Sequence, residues 1–165
     1  MPKPLWAPWR LAYVEHADEL ERCIFCEPEA QLLVLEDEHA LVVMNKFPYS
    51  SGHLLVAPRR HLGDYGLLSD DEALAVHRLA ARGVDALREE YGAQGFNLGW
   101  SLGRVAGAGI EDHVHLHVVP RWHGDTSFMP VLGDVKVLPE HLLETAQRMR
   151  ARLGGAPSSG IRSTL

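Results

Sequence analysis

The chain has 165 residues, 46% hydrophobic and 23% charged, and a formal net charge of −6. That is one domain's worth of polymer with ordinary globular composition, long enough to bury a core without staples. The acidic balance argues against nucleic-acid polymers and anionic membranes as partners, while leaving room for a local phosphate pocket; no run of about 18 apolar residues offers a spanning helix.

Residues 1–31 read as an irregular N-terminal arm, because Pro2, Pro4 and Pro8 forbid an early helix and Trp6 and Trp9 need something to pack against. The start lacks the apolar stretch and small-residue cleavage site of a secretory signal, so a cytoplasmic address is expected. The only cysteines, Cys23 and Cys26, stand in "CIFC". Two thiolates at this spacing can grip one Zn²⁺. A redox pair would open a helix within a βαβ pattern, which is missing, and two free buried thiols are the plain alternative.

A main domain is expected over residues 32–153. Two apolar runs, Leu32–Leu35 and Ala40–Met44, flank the polar Glu36-Asp37-Glu38 and predict a hairpin. A strand follows over His53–Ala57, stopped by Pro58. The two arginines after it, Arg59 and Arg60, read as a solvated turn. Ser69 and Glu72 form a capping box for a long helix ended by Gly92, with Val76, Leu79, Ala80, Gly83, Leu87 and Tyr91 on one face. "QGFNLGWSLG" predicts another strand, and "GRVAGAG" joins it to "DHVHLHVVPRW". A last helix is expected from Pro139, burying Leu142, Ala146, Met149 and Leu153. Residues 154–165 are Gly/Ser-rich and read as a disordered tail. Strands in succession with two inserted helices predict an α+β fold with a largely antiparallel sheet.

In an extended segment His113, His115 and His117 share one face at about 6–7 Å spacing, with Val114, Leu116 and Val118 opposite. Neutral imidazole is nucleophilic near neutral pH, and a central histidine can attack while its neighbours orient substrate. The glycines from Gly103 to Gly109, Gly107 included, let backbone amides approach an anion; an ordinary flexible turn is the alternative. Three catalytic zinc ligands on this strand are excluded, since they span about 13 Å while zinc wants bonds near 2 Å.

"HVHLHVV" resembles the signature of the histidine triad (HIT) superfamily of nucleotide hydrolases and transferases. "NKFPYSSGHLLVAPRRH", "GFNLGWSLG", "AGAGIEDHVHLHVVPRWHGDTSF" and the opening "LWAPWRLAYV" resemble the branch with bacterial diadenosine polyphosphate phosphorylases and hydrolases. The resemblance covers roughly residues 5–150. It implies a five-stranded antiparallel sheet with one long and one C-terminal helix, and dimerisation through the long helix and a strand. It implies His115 as the nucleophile on an α-phosphorus, with a nucleotidyl-histidine intermediate resolved by water or inorganic phosphate. It further implies His117 at the α-phosphate, Asn45 at the ribose, Asn97 near the phosphates and His53 lining the pocket. The imidazoles and glycine-loop amides, Gly107 and Gly109 among them, suffice to neutralise phosphate charge, so no obligatory catalytic Mg²⁺ is expected. Some members of the superfamily hold a structural zinc at the positions of Cys23, Cys26, His61 and His113. One departure is Gly109-Ile110, where many relatives carry Ser, Thr or Gln before the triad. A non-catalytic nucleotide-binding or scaffolding module with the same fold is the alternative function.

Overall fold

The computed structural model of the protein describes residues 22–125 and 141–154. The proposed opening arm up to residue 21, Pro139 and the tail beyond residue 154 lie outside them. The described strands are β1 (Leu33–Glu36), β2 (Ala40–Met44), β3 (Leu54–Pro58), β4 (Gly95–Trp100) and β5 (Leu116–Arg121), and the helices are α1 (Asp70–Tyr91) and α2 (Leu142–Leu153). All five strands form one antiparallel sheet in the order β1-β2-β3-β5-β4. This is the α+β architecture expected from the sequence. No helix among the described residues is long and apolar enough to cross a membrane.

The β1–β2 hairpin turns one residue later than the polar triplet suggested. Asp37 Oδ1 accepts the N–H groups of His39 and Ala40 at 2.9 and 2.8 Å, which makes Asp37 the turn-forming residue. Strand β3 is shifted by one residue and keeps Pro58 as its last member, paired with Ala40. A proline is tolerated there because the ladder ends with it.

Helix α1 has the predicted capping box. Ser69 accepts from the Glu72 N–H while Glu72 accepts from the Ser69 N–H, and Gly92 closes the other end in the left-handed conformation at φ 59°. Its buried face carries Val76, Leu79, Ala80, Gly83 and Leu87 as expected, with Ala75 and Ala86 added and Tyr91 half-buried. Gly83 sets the approach of α1 to the sheet, because a Cβ there would meet Leu54 at 2.9 Å. Helix α2 starts at Leu142, later than Pro139, since His141 is extended and caps it by accepting from the Leu143 N–H. Leu142 is half-buried, and Ala146, Met149 and Leu153 are buried.

The main core lies between the helices and one sheet face: Val42, Met44, Leu54, Val56, Leu116 and Val118 from the strands meet Val76, Leu79, Leu87, Ala146 and Met149. Alternation then forces Leu41, Val43, Leu55 and Ala57 to the opposite face, where Phe25 of the cysteine segment covers them. Trp100 and Trp122 are half-buried against the main core. The second sheet face is therefore where the arm and the histidines meet.

Candidate active site and candidate metal centre

The histidine segment is less regular than a simple strand. The β3–β5 register pairs Val56 with Leu116 and Leu55 with His117, and the ladder stops there. His113 and His115 precede the strand, a correction to the expected run from residue 113. Continuing the register would bring Val114 opposite Pro58, which has no N–H to donate. The Pro58 carbonyl is engaged by the His113 Nε2–H at 2.8 Å instead, and the Val114 N–H donates to the Leu62 carbonyl at 2.8 Å. Val114, Leu116 and Val118 are still buried.

The hydrogen-bond network assigns a tautomer to each ring. His113 carries its proton on Nε2, so the Nδ1 lone pair faces Cys23 Sγ at 3.2 Å and Cys26 Sγ at 3.7 Å. His115 donates its Nδ1–H to the His113 carbonyl at 2.9 Å, leaving the lone pair on Nε2. His53 Nδ1 accepts the Tyr49 N–H at 3.0 Å and faces the Asn45 side-chain amide at 3.1 Å, so its proton sits on Nε2. That proton is donated to His117 Nδ1 at 3.0 Å, which puts the His117 proton on Nε2. Asn45 is oriented in turn, because its Oδ1 accepts the Phe47 N–H at 2.9 Å. A ring nitrogen of His115 that bears a lone pair and is not engaged by the His113 carbonyl thus stands on a ring beside His117, with the ring centroids 5.0 Å apart.

Burial pushes the pKa of His115 below the ordinary imidazole value, opposed by its bond to the His113 carbonyl. The neutral, lone-pair-bearing form is the one favoured. His53 is fully buried, so it acts on His117 and Asn45 rather than lining the pocket directly. Tyr49, which sequence reasoning passed over, lies 4.8 Å from His53 and stacks near His117 at 5.9 Å.

Asn97 is exposed on β4, and its Oδ1 accepts from Arg121 at 2.9 Å. Pairing of Asn97 with Val119 and of Gly99 with His117 puts Asn97 on the His117 side of the sheet. Gly99 has open space among the described residues where a Cβ would stand. Gly107 is left-handed at φ 89° and gives its N–H to the Arg104 carbonyl at 2.8 Å. Its amide is committed within the loop, which corrects its expected part in an anion cradle. Ile110 packs against the Phe25 cluster. An apolar residue at this position has a neighbour to bury against. Arg60 is held by Glu72 at 2.7–2.8 Å and by the Leu67 carbonyl at 2.8 Å, and Arg59 pairs with Glu36. Both arginines are spent on structure, as the solvated-turn reading has it.

The four residues Cys23, Cys26, His61 and His113 come together: their ligand atoms all lie within 4.8 Å of one another. Cys26 Sγ is 3.3 Å from His61 Nδ1. Two sulfurs and two imidazole nitrogens are a donor set suited to Zn²⁺. The fit is reinforced by the Pro58 carbonyl, which fixes the lone pair of His113 toward the sulfurs in the manner of an outer-shell partner. Desolvation, with the Cys23 thiol beside it, pushes the Cys26 thiol up to about 11, a cost that a bound cation would reverse. Between the two cysteines sits Phe25, 2% exposed, with ring centroids 5.0 Å from His113 and 4.9 Å from His115. Its place inside the C-x-x-C was the one signal that could have marked it.

Residues 28–124 match the HIT domain family. An AP-4-A phosphorylase of Mycobacterium tuberculosis is 31% identical, the match covering 93% of this chain and 85% of the relative. Among solved structures, a Zn-bound histidine triad family protein from Mycobacterium smegmatis aligns with a TM-score of 0.62 at 26% identity, covering 87% of this chain and 92% of the other. A hypothetical histidine triad nucleotide-binding protein from Sulfolobus tokodaii aligns with a TM-score of 0.65 at 26% identity, covering 80% and 92%. With the fold, the triad and these matches in agreement, the chain belongs to the HIT domain family.

Proposed function

We propose that the protein is a nucleotide hydrolase or transferase that attacks the α-phosphorus of dinucleoside polyphosphates such as diadenosine tetraphosphate. The observation that carries this reading is the hydrogen-bond pattern around the triad, which leaves a lone pair on His115 Nε2 and an N–H on His117 Nε2. In the first step a bond forms between His115 Nε2 and phosphorus, and the phosphorus–oxygen bond to the remaining nucleotide breaks. His117 donates to a phosphate oxygen as charge builds on it. In the second step water or inorganic phosphate attacks the nucleotidyl-histidine, the nitrogen–phosphorus bond breaks, and His115 is regenerated. Asn45 holds the ribose, Asn97 lies toward the phosphates, and Gly109 offers a backbone amide to them. The similarity to an AP-4-A phosphorylase favours phosphate as the acceptor.

Cys23, Cys26, His61 and His113 would hold a structural zinc, which supplies charge to keep both thiolates ionised and ties the arm to the sheet. A zinc content that does not fall in a Cys23→Ser variant would contradict this site. The protein works as a homodimer in a cytoplasmic setting, pairing through α1 and β4. Strand β4 is the sheet edge that carries the exposed Leu98.

The acceptor is tested by incubating the protein with diadenosine tetraphosphate with and without phosphate. Appearance of ADP only when phosphate is present identifies a phosphorylase, AMP in both cases identifies a hydrolase, and no cleavage in either contradicts the enzymatic reading in favour of a binding module.

A further inference from the structure

Phe25 is held in a tight turn, with the Cys26 and Glu27 N–H groups donating to the Cys23 carbonyl at 3.1 and 3.0 Å. Its ring seats on Leu41, Val43, Leu55 and Ala57 and meets both His113 and His115. The thiols on either side face His61 and His113. His115, for its part, is oriented among the described residues by one hydrogen bond, from Nδ1 to the His113 carbonyl. One such bond leaves a ring free to tilt unless neighbouring atoms block it, and the rings near it are Phe25 and His117. The metal candidates and the nucleophile candidate are thus joined twice, through the main chain of His113 and through one side chain that belongs to neither set.

We propose that Phe25 is a positioning residue for His115, through which the state of the Cys/His cluster sets the aim of the attacking nitrogen. Drawing Cys23 and Cys26 onto a shared cation fixes the backbone on both sides of Phe25 and presses its ring against His115. Releasing the thiols loosens that contact while the sheet below stays intact. The inference rests on the reading of His115 as the nucleophile. It makes the cluster more than a tether, because occupancy is then felt at the reacting atom.

The test uses the full chain and two variants, Phe25→Leu and the longer, unbranched Phe25→Met, each prepared with zinc and after chelation. Long-range ¹H–¹⁵N spectra of the imidazoles read the His115 tautomer, and steady-state cleavage of diadenosine tetraphosphate reads kcat and KM. With zinc, the unmodified chain should show one His115 tautomer with the proton on Nδ1, and chelation should broaden or mix it. Phe25→Leu should keep its zinc and its folded amide spectrum, yet show the mixed tautomer even when loaded. Its kcat should fall about tenfold or more with KM within about twofold, as misaiming predicts. A loaded Phe25→Leu or Phe25→Met protein with the unmodified His115 signature and kcat would overturn the proposal. So would His115 resonances in the unmodified chain that ignore chelation. If the unmodified chain cleaves nothing, the nucleophile reading fails, and the imidazole spectra still decide whether Phe25 links the cluster to His115.

Discussion

At the scale of single residues, the site depends on where protons sit. Asn45, Tyr49, His53 and His117 form a chain in which each bond fixes the polarity of the next, ending in an N–H on His117. His53 is the middle link and fully buried. His53→Leu should leave the Tyr49 N–H and His117 Nδ1 without their partner, costing about 1–3 kcal/mol in a denaturant titration. It should also slow cleavage by freeing His117 to take the wrong tautomer. An unchanged midpoint and an unchanged rate would show that the relay does not matter. The types and spacing of these residues were legible in the sequence, including all four members of the Cys/His cluster. Their proton assignments were not, because those depend on carbonyls from distant segments: Pro58 for His113, and the main chain of His113 itself for His115.

Among the elements, helix α1 shows how one residue serves two ends. Glu72 closes the capping box on Ser69 and binds the Arg60 guanidinium, tying the helix start to the segment after β3. The Arg60 hydrogen bond, with help from Ser69, holds the Glu72 carboxyl down to about 2, well below its ordinary value of 4.5. A group with a depressed folded-state pKa stabilises the fold fully above its unfolded pKa and loses that contribution as pH falls toward the folded one. Stability should therefore decline between about pH 4.5 and pH 2, and Glu72→Gln should flatten that part of a melting-temperature profile. Equal slopes in both proteins would contradict the assignment. Helix α1 was readable from its cap, period and terminal glycine, since all three signals are local. The ends of β3, β5 and α2 were misjudged by one to three residues. Their limits come from pairing across the sheet and from a capping histidine that no periodicity reveals.

Over the described residues the molecule is a sheet with two unlike faces. Helices cover one, and the other carries the cysteine segment beside the histidines. Alternation along β2, β3 and β5 decides which residues go where, so the two-faced plan follows from sequence, whereas Phe25 joining the cluster to His115 needed the folded chain. The β4 edge ends the sheet with Leu98 half exposed, and a second copy is the proposed cover. Leu98→Glu should shift the protein toward monomer in sedimentation velocity, and a mass unaffected by this change would move the interface elsewhere. The proposed mechanism has His115 bond covalently to phosphorus. Its most direct measurement is a peptide mass spectrum of protein quenched during turnover of diadenosine tetraphosphate. An adenylyl adduct is expected on His115 and is expected to be absent from a folded His115→Ala protein; turnover surviving in that variant, or an adduct on another residue, would overturn the assignment.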